Sequence, residues 1–394
     1  QIDILGALFN QIENEEDAKR LHKMDNVNQI YKTLNKIAVH FGAGNVGRGF
    51  IAPLLKDNGY RVIFVDSSND MVEKINNQKE YKVTSYDKES TTDKLVEKIR
   101  ALHTDEDQLL KEILNKASLV TTSVGPNNLP LIANLLDKHI DTKVDFIAFE
   151  NMYRASTYVL EQKDSLHEKI QEHDVVVDKI IPLQKIENLD LVVESFGSIV
   201  FDQGQYIDKL IELSEVVSKG DYEKEFTKKL WLLNGLHVCL AYYGLSKGTE
   251  YIHELYGQKE HEEFIKKINS EYLKAYTLYS NQDIEEVLEY QNQINLRFSS
   301  KKSKDQNIRI ARNPEIKFSE SERVHAPLKY LIKNGEEVSA MKEVIEIIFN
   351  NEFKEVGGFI DFTKEHLSDG KENFYSNYWK EDKALDKFSS NLGK

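Results

Sequence analysis

The chain has 394 residues and carries 52 Lys and Arg against 66 Asp and Glu, a formal net charge of −14. This acidic balance, without a long basic run, argues against general binding to nucleic acid. The single cysteine, Cys239, excludes an intrachain disulfide framework and a zinc site built from several cysteines. No apolar run approaches the roughly 18 residues that span a bilayer. We therefore expect a globular protein of the cytoplasm that does not bind membranes.

The first 35 residues precede the first predicted strand. Ile4, Leu8 and Ile12 recur at helical spacing, which predicts an amphipathic helical extension over residues 1–35 that packs on the main body. A partner-binding arm is the alternative, and the spacing alone leaves both open.

A glycine-rich turn follows the predicted strand at residues 36–41 and precedes a predicted helix. It reads Gly42-Ala-Gly44-Asn45-Val46-Gly47. In such a turn the first glycine permits a tight bend, the second lets the backbone approach a pyrophosphate, and the third lets helix and strand pack closely. The amino end of the helix adds free N–H groups and a favourable dipole, so the turn predicts a phosphate-binding loop.

The second predicted strand, residues 61–65, leads to Asp66, which stands 19 residues after Gly47. A carboxylate there accepts hydrogen bonds from ribose hydroxyls and repels a 2′-phosphate, so we expect NAD rather than NADP as the cofactor. A structural turn followed by a strand-end cap is the alternative for this local pattern.

Further apolar runs predict that the sheet continues. The predicted strands lie at 117–124, 144–149, 175–177 and 191–193, and helical character is expected at 92–102 and 129–136. Alternating strands and helices are typical of a parallel, doubly wound sheet whose ligands bind at the carboxyl ends of the strands. This rule places the loops that contain Val124 and Asn151 near the cofactor, and it brings Asp178 towards the reacting centre.

From about residue 221 the pattern becomes helical. Residues 228–244 are apolar nearly all round, as in a buried helix, yet Lys229, Asn234 and His237 interrupt them. At roughly 100° per residue these three side chains share one face, which should border a wet or ligand-filled cleft because burying an unpartnered lysine is costly. Satisfied core residues and a snorkelling lysine are the alternative.

Several motifs, in chain order, resemble those of mannitol-1-phosphate 5-dehydrogenases, which belong to the polyol-specific long-chain dehydrogenases. The similarity covers residues 36–335, and Lys-x4-Asn-x2-His is its most specific element. The matching segments are His40–Phe50, Val120–Pro126, Glu150–Met152, Asp178–Pro182, Lys229 to His237, and Arg309–Pro314 with Lys317.

This resemblance implies an α/β fold, with an NAD-binding Rossmann domain over 36–217 and an all-helical substrate domain over 218–394. It also implies a zinc-independent enzyme without a metal site, in which Lys229 is the general base and Asn234 and His237 bind the reacting oxygen. Asn151 and Asp178 would lie at the substrate, with a turn residue and a strand-end cap as their alternatives. Lys179 stands where the family usually has Arg, which keeps the charge but loses bidentate geometry.

A basic cluster, Arg309, Arg312 and Lys317, matches the family pattern R-x2-R-x4-K. The resemblance implies that Arg309 and Lys317 bind the substrate, and arginine suits the oxygens of a phosphate. A solvated basic loop is the alternative. The sequence departs from the family at 310–311, where Val-Gly is common, and at 315–316, where Leu-Arg is usual.

The implied reaction interconverts D-mannitol 1-phosphate and D-fructose 6-phosphate by hydride transfer with NAD. Alternatives are a relative acting on an unphosphorylated polyol or hexuronate (mannitol 2-dehydrogenase or fructuronate reductase), a non-catalytic NAD-binding sensor, and a scaffold role for residues 1–35. The intact lysine, asparagine and histidine argue against the sensor. By analogy with the family, we expect a monomer whose partner is a small molecule.

Overall fold

The computed structural model describes residues 36–87, 90–181, 184, 188–203, 216–371 and 374. The helical extension predicted for residues 1–35 lies outside this part of the chain. The chain divides into two compact units, with the boundary between Tyr222 and Glu223. Among the described residues, no helix is both long enough and apolar enough to cross a bilayer.

The strands of the described residues all lie in the first unit. They are β1 (Ile37–Phe41), β2 (Arg61–Asp66), β3 (Glu80–Tyr86), β4 (Thr91–Glu97), β5 (Arg100–His103), β6 (Leu119–Thr122), β7 (Val144–Ala148), β8 (Ile170–Glu172), β9 (Val175–Asp178), β10 (Leu191–Glu194), β11 (Ser198–Asp202) and β12 (Val217–Gly220).

The α-helices continue through both units. They are α1 (Ala52–Asp57), α2 (Asn69–Gln78), α3 (Asp107–Lys116), α4 (Leu129–His139), α5 (Ala155–Leu160), α6 (Leu166–Lys169), α7 (Tyr222–Lys228), α8 (Leu236–Ser246), α9 (Lys259–Ser280), α10 (Ile284–Phe298), α11 (Asn307–Ala311), α12 (Pro314–Lys317), α13 (His325–Lys333), α14 (Ser339–Asn350) and α15 (Phe359–Phe362). Segments Gly47–Ile51, Lys229–Gly235 and Thr363–Leu367 are π-helical, and Pro126–Asn128 and Ile252–Leu255 are 3₁₀-helical.

The main sheet has six parallel strands in the order β5-β2-β1-β6-β7-β8, which confirms the predicted doubly wound fold. All five residues of β1 are buried. Ala38 packs in one apolar cluster and its neighbour Val39 in another, because successive side chains of a strand point to opposite faces. Covered faces explain why β1 is an unbroken apolar run rather than an alternating one.

The helix predicted at 92–102 is wrong. Residues 91–97 form β4, which pairs antiparallel with β3, and residues 100–103 form β5 at the edge of the main sheet. The apolar spacing that looked helical buries Val96 and Ile99 between these pairings. Strand pairing at a distance therefore overrode the local helical pattern.

The predicted strands at 175–177 and 191–193 exist, but they do not continue the main sheet. β9 belongs to a three-stranded sheet, β12-β11-β9, and β10 to another, β10-β3-β4. Only residues 173–174 separate β8 from β9, whereas a crossover between parallel strands needs about a dozen residues or more. The chain therefore leaves the sheet after β8, and the rule that brought Asp178 to the sheet's carboxyl edge does not apply.

A buried carboxylate holds the bend between β8 and β9. Asp174 is fully buried and accepts hydrogen bonds from the backbone N–H groups of Ser156 (3.0 Å) and Thr157 (3.1 Å) and from the Thr157 hydroxyl (2.6 Å). Nη1 of Arg154 lies 3.3 Å from Asp174 and 3.1 Å from Asp202. These contacts fasten the start of α5 to the small sheet that contains β9.

Asp174→Asn should lower the free energy of unfolding by about 3 kcal/mol, because an amide NH₂ would face the donor groups of Ser156 and Thr157, and Arg154 would lose a buried carboxylate partner. Denaturant titration measures the loss. The matched control is Asp93→Asn, which removes an exposed partner of Lys82 and should leave the midpoint almost unchanged. Equal losses in both variants would contradict this account of Asp174.

Candidate active site

The glycine loop after β1 is shaped by two close backbone approaches. Gly42 has a φ of 95°, which disfavours other residues, and its N–H donates to the carbonyl of Val65 at 2.8 Å. A Cβ on Gly47 would collide with the carbonyl oxygen of Gly42. A Cβ on Gly44 would meet no atom of the chain within 4 Å. Gly47 is therefore required by the fold, whereas the side of the loop at Gly44 is open to a ligand.

A buried histidine supports this loop from below. Nδ1 of the His40 ring lies 2.7 Å from the hydroxyl of Thr121, and Nε2 lies 2.9 Å from the hydroxyl of Ser123. Burial lowers the pKa of His40 to about 3, against a small opposing effect from the backbone of Gly42, so the ring is neutral. The histidine thus joins the loop after β1 to the loop after β6 without a charge.

Asp66 and Arg48 both bind the backbone of Ala43 in this loop. The carboxylate of Asp66 accepts from the N–H groups of Ala43 (2.8 Å) and Ser68 (2.9 Å). Arg48 is fully buried, and its guanidinium donates to the carbonyls of Ala43 (2.7 Å) and Leu189. The acid at the end of β2 is therefore held beside the glycine turn, where the ribose of a dinucleotide lies in such folds.

Glu150, at the end of β7, organises the next loop. It accepts from the backbone N–H groups of Val124 (2.7 Å) and Gly125 (3.0 Å), and burial raises its pKa to about 7 despite these two hydrogen bonds. Asn151, the next residue, is exposed. The predicted cofactor residues therefore meet at one edge of the sheet; they are Gly42, Gly44, Asn45, Val46, Gly47, Asp66, Val124 and Asn151.

The segment after β9 follows a strand that does not belong to the main sheet. Asp178 is buried and ends β9 opposite Ser198 of β11. Lys179 donates to the carbonyls of Glu194 (2.6 Å) and Phe196 (2.9 Å), and its Nζ lies 4.9 Å from the ring centre of Phe50. A lysine at this position therefore ties strand ends together through single N–H donors, a task that does not need the bidentate geometry of arginine.

The second unit carries the Lys-x4-Asn-x2-His set. Lys229 and Asn234 lie in the π-helical segment, and His237 lies in the first turn of α8. The angular positions predicted at 100° per residue do not hold here, because an i→i+5 turn is wider than an α-helical one. The three side chains are nevertheless half-buried, as Leu230 is, while Trp231–Leu233 and Gly235–Leu236 are buried. The polar residues of this segment therefore belong to its less buried side.

The π-helical segment Lys229–Gly235 ends where the backbone of Arg323 and the ring of Tyr272 pack closely against Gly235. A Cβ on Gly235 would collide with the backbone oxygen of Arg323 and lie 2.5 Å from the ring of Tyr272. The Tyr272 hydroxyl donates to that same oxygen at 2.9 Å. Single π-helical turns are often found at functional sites. The glycine thus lets the loop before α13 approach the helix that carries the three polar residues.

His237 shares a carboxylate with a predicted substrate residue. Its Nε2 lies 2.9 Å from Oδ2 of Asp305, whose other oxygen pairs with Nη2 of Arg309. The imidazole stacks on Phe298 with ring centres 4.4 Å apart and an interplanar angle of 17°. The structure therefore brings His237 and Arg309 together through Asp305, a residue that the motif analysis missed although its i, i+4 spacing to Arg309 was a signal.

Lys317 lies in a strongly cationic setting. Its Nζ donates to the carbonyls of Ile310 and Arg312. Burial first, and then the positive charges of Arg323, Arg312 and Arg309, lower its pKa to about 7. Arg323 belongs to this cluster without being part of the sequence motif; it pairs with Glu322 at 2.9 Å. An anion bound here would meet several positive charges within a small volume.

One group of possible metal ligands occurs among the described residues. The ligand atoms of Glu315, Glu365 and His366 lie within 4.8 Å of one another. His366 and Glu315 form an ion pair at 2.7 Å, which accounts for their proximity without a metal. The expectation of an enzyme without a metal site stays a prediction.

Comparison with known proteins places both units in one family. Residues 36–215 match the mannitol dehydrogenase Rossmann domain, and residues 222–372 match the mannitol dehydrogenase C-terminal domain. Mannitol-1-phosphate 5-dehydrogenase of Thermoanaerobacter pseudethanolicus is 35% identical over 318 residues, 76% of this chain and 81% of that protein. The enzyme of the same name from Clostridium acetobutylicum is 36% identical over 312 residues, which are 74% and 80% of the two chains.

Solved structures share the fold at lower identity. A D-sorbitol dehydrogenase in substrate-free form superposes with a TM-score of 0.62 and 16% identity, covering 81% of each chain. Mannitol 2-dehydrogenase of Pseudomonas fluorescens, in a ternary complex with NAD and D-mannitol, superposes with a TM-score of 0.61 and 14% identity, covering 91% of this chain and 94% of that one. With both of its units matched and relatives above 30% identity along most of its length, the chain belongs to the mannitol dehydrogenase family.

Proposed function

We propose that this chain is an NAD-dependent oxidoreductase that interconverts D-mannitol 1-phosphate and D-fructose 6-phosphate. The observation that carries the proposal is that Lys229, Asn234 and His237 are half-buried polar residues whose neighbours Trp231–Leu233 and Gly235–Leu236 are buried. Relatives named mannitol-1-phosphate 5-dehydrogenase, 35% and 36% identical to this chain, support the substrate. The charged coenzyme and sugar phosphate support a cytoplasmic enzyme, and the family supports a monomer.

The residues of the first unit fit NAD. The open side of the loop at Gly44 gives a pyrophosphate access to backbone N–H groups, and Asp66 offers acceptor oxygens for ribose hydroxyls at the end of β2. Val124, whose N–H donates to Glu150, and Asn151, the residue after Glu150, would line the nicotinamide end. When bound, NAD supplies the acceptor for the hydride that leaves the alcohol carbon.

The second unit supplies the groups for the proton. During oxidation, Nζ of Lys229 takes the proton of the substrate hydroxyl as the C–H bond breaks, so the products are the ketone and a protonated lysine. Asn234 and His237 hydrogen-bond the same oxygen, which fixes its position and stabilises its developing negative charge. In the reverse direction Lys229 returns the proton. Asp178 and Asn151 complete the proposed substrate contacts. We take the cofactor domain as residues 36–217 and the substrate domain as residues 218–394.

The phosphate of the substrate would bind at Lys317 and Arg309. Three guanidinium groups near Lys317 favour a doubly negative ligand, and an anion would relieve the repulsion that, after burial, lowers the pKa of this lysine. Arg309 keeps further N–H donors beyond the one directed at Asp305, since a guanidinium has five.

One observation favours a second candidate, a dehydrogenase for an unphosphorylated polyol. Nζ of Lys317 already donates to two carbonyls, and Arg309 already has a carboxylate partner. Partly satisfied cations attract a phosphate less strongly and could instead bind hydroxyl groups. A comparison of phosphorylated and unphosphorylated substrates separates the two candidates.

Purified protein should consume NADH with fructose 6-phosphate and much more slowly with fructose or fructuronate. Lys229→Ala should lower kcat by roughly 10² or more, because it removes the general base. The matched control is Lys228→Ala, which alters a neighbouring lysine that pairs with Glu225 at 2.6 Å and should retain activity. A preference for fructose would favour the second candidate, and NADH binding without turnover on any substrate would favour the sensor.

Two glycine variants test the cofactor loop. Gly44→Ala should fold with an unchanged melting temperature, since the new methyl meets only open space, yet it should weaken NADH binding at least tenfold. Gly47→Ala should lower the melting temperature because the methyl collides with Gly42. Fluorescence titration and thermal unfolding measure the two effects. Normal NADH affinity in Gly44→Ala would contradict the proposed pyrophosphate position.

The pH dependence of KM tests the phosphate site. With a pKa of about 7, Lys317 is cationic below pH 7 and loses its charge above it, so KM for fructose 6-phosphate should rise between pH 7 and 9, by up to about tenfold per pH unit. The phosphate itself is already dianionic there, since its second pKa is near 6. Lys317→Met should flatten the profile, and fructose, which lacks the phosphate, is the control substrate. A KM that is constant with pH in the unaltered protein would exclude this role.

A further inference from the structure

We propose that Asp305 is a positioning residue that holds the ring of His237 and the guanidinium of Arg309 with one carboxylate. The group at the reacting oxygen and a group at the far end of the substrate are then fixed as a unit. This inference rests on the proposed function, which gives His237 and Arg309 their roles.

The carboxylate of Asp305 is buried between its two partners. Only 3% of the residue is exposed, Oδ2 lies 2.9 Å from Nε2 of His237, and Oδ1 pairs with Nη2 of Arg309. Burial alone would raise its pKa, but His237 and Arg309 outweigh burial and lower the pKa to about 2, so the carboxylate is ionised at neutral pH. One ionised carboxylate therefore pairs with both the imidazole of His237 and the guanidinium of Arg309.

The backbone that carries Asp305 is fixed against the end of α8. The N–H of Ile252 donates to the carbonyl of Asp305 at 3.1 Å, and the N–H of Asn307 donates to Glu250 at 2.9 Å. The Asn307 amide donates to the carbonyl of Thr249 at 2.9 Å and would collide with a Cβ on Gly244. The backbone of Asp305 is thus held by the segment that directly follows the helix that presents His237, which limits the motion of both residues.

The arrangement defines which atoms remain for the substrate. Nε2 of His237 faces the carboxylate of Asp305, which favours a proton on this nitrogen. Nδ1 is then the nitrogen on the substrate side, and it donates to the reacting oxygen when it too carries a proton. Stacking on Phe298 fixes the plane of the ring. A histidine without such a partner can exchange its tautomers and rotate, whereas a buried carboxylate keeps one tautomer in one orientation.

The first test is the ring of His237 in the unaltered protein. Nitrogen-15 NMR, with the resonance assigned by its absence in His237→Gln, should show a protonated Nε2 that is lost or mixed with the Nδ1–H tautomer in Asp305→Asn. An unprotonated Nε2 in the unaltered protein would overturn the inference, and this outcome does not depend on whether Asp305→Asn folds.

The second test is kinetic. Asp305→Asn should lower kcat about tenfold or more through His237 and also raise KM for fructose 6-phosphate through Arg309, whereas Arg309→Gln should raise KM alone. The combined Asp305→Asn/His237→Gln variant should lose less than the product of the single effects. Full additivity would overturn the inference.

The matched control is Glu271→Gln, which neutralises another buried carboxylate of the second unit. Glu271 accepts from the N–H groups of Ala340 (2.7 Å) and Met341 (2.8 Å) and has no role in the proposed chemistry. Its variant should keep kcat, KM and the His237 tautomer; equal kinetic losses in both variants would reduce Asp305 to a stability residue and overturn the inference. A changed tautomer in Asp305→Asn with unchanged kcat would support the positioning of the ring and instead overturn the proposed role of His237.

Discussion

The first unit depends on the absence of a side chain at Gly47. Only a glycine lets the start of the π-helical segment at residues 47–51 lie against the carbonyl of Gly42, next to the ring of His40. That approach fixes where the helix begins relative to β1, and so it fixes the open N–H groups at Gly44. His40, neutral and bound to two hydroxyls, fills the space beneath without bringing a charge close to a phosphate. The contact of two glycines over one buried histidine thus sets the geometry on which the proposed cofactor site depends.

The first half of this fold was predictable where the signals were local. The glycine spacing, the apolar run of β1 and Asp66 lie within some 30 residues, so they predicted the dinucleotide fold correctly. The failures came where distant pairing decides. Residues 91–97 have a helical apolar pattern but pair with β3, and β9 leaves the main sheet because two residues cannot form a parallel crossover. Neither outcome could be deduced from a window of sequence.

The candidate site shows the same division. The spacing of Lys229, Asn234 and His237 predicted a shared stripe on the helix, although the π-helical turn changes the angles between them. Asp305 and Arg323 were missed because their relation to His237 and Lys317 exists only after the helices have packed. A motif reveals residues that act directly on a ligand, whereas their partners are recognisable only by burial and distance.

The charge of the protein explains why the cationic residues of the candidate site need carboxylate partners. The chain carries a net charge of −14, yet the proposed substrate is an anion, so attraction must come from a local cluster rather than from the whole surface. Collecting Arg309, Arg312, Lys317 and Arg323 creates repulsion that opposes folding, and this repulsion adds to burial in lowering the pKa of Lys317. Asp305 and Glu322 reduce that repulsion by pairing with Arg309 and Arg323. With these two carboxylates, the cluster keeps the net positive charge that binds a phosphate, and the folded protein tolerates the cluster when no phosphate is bound.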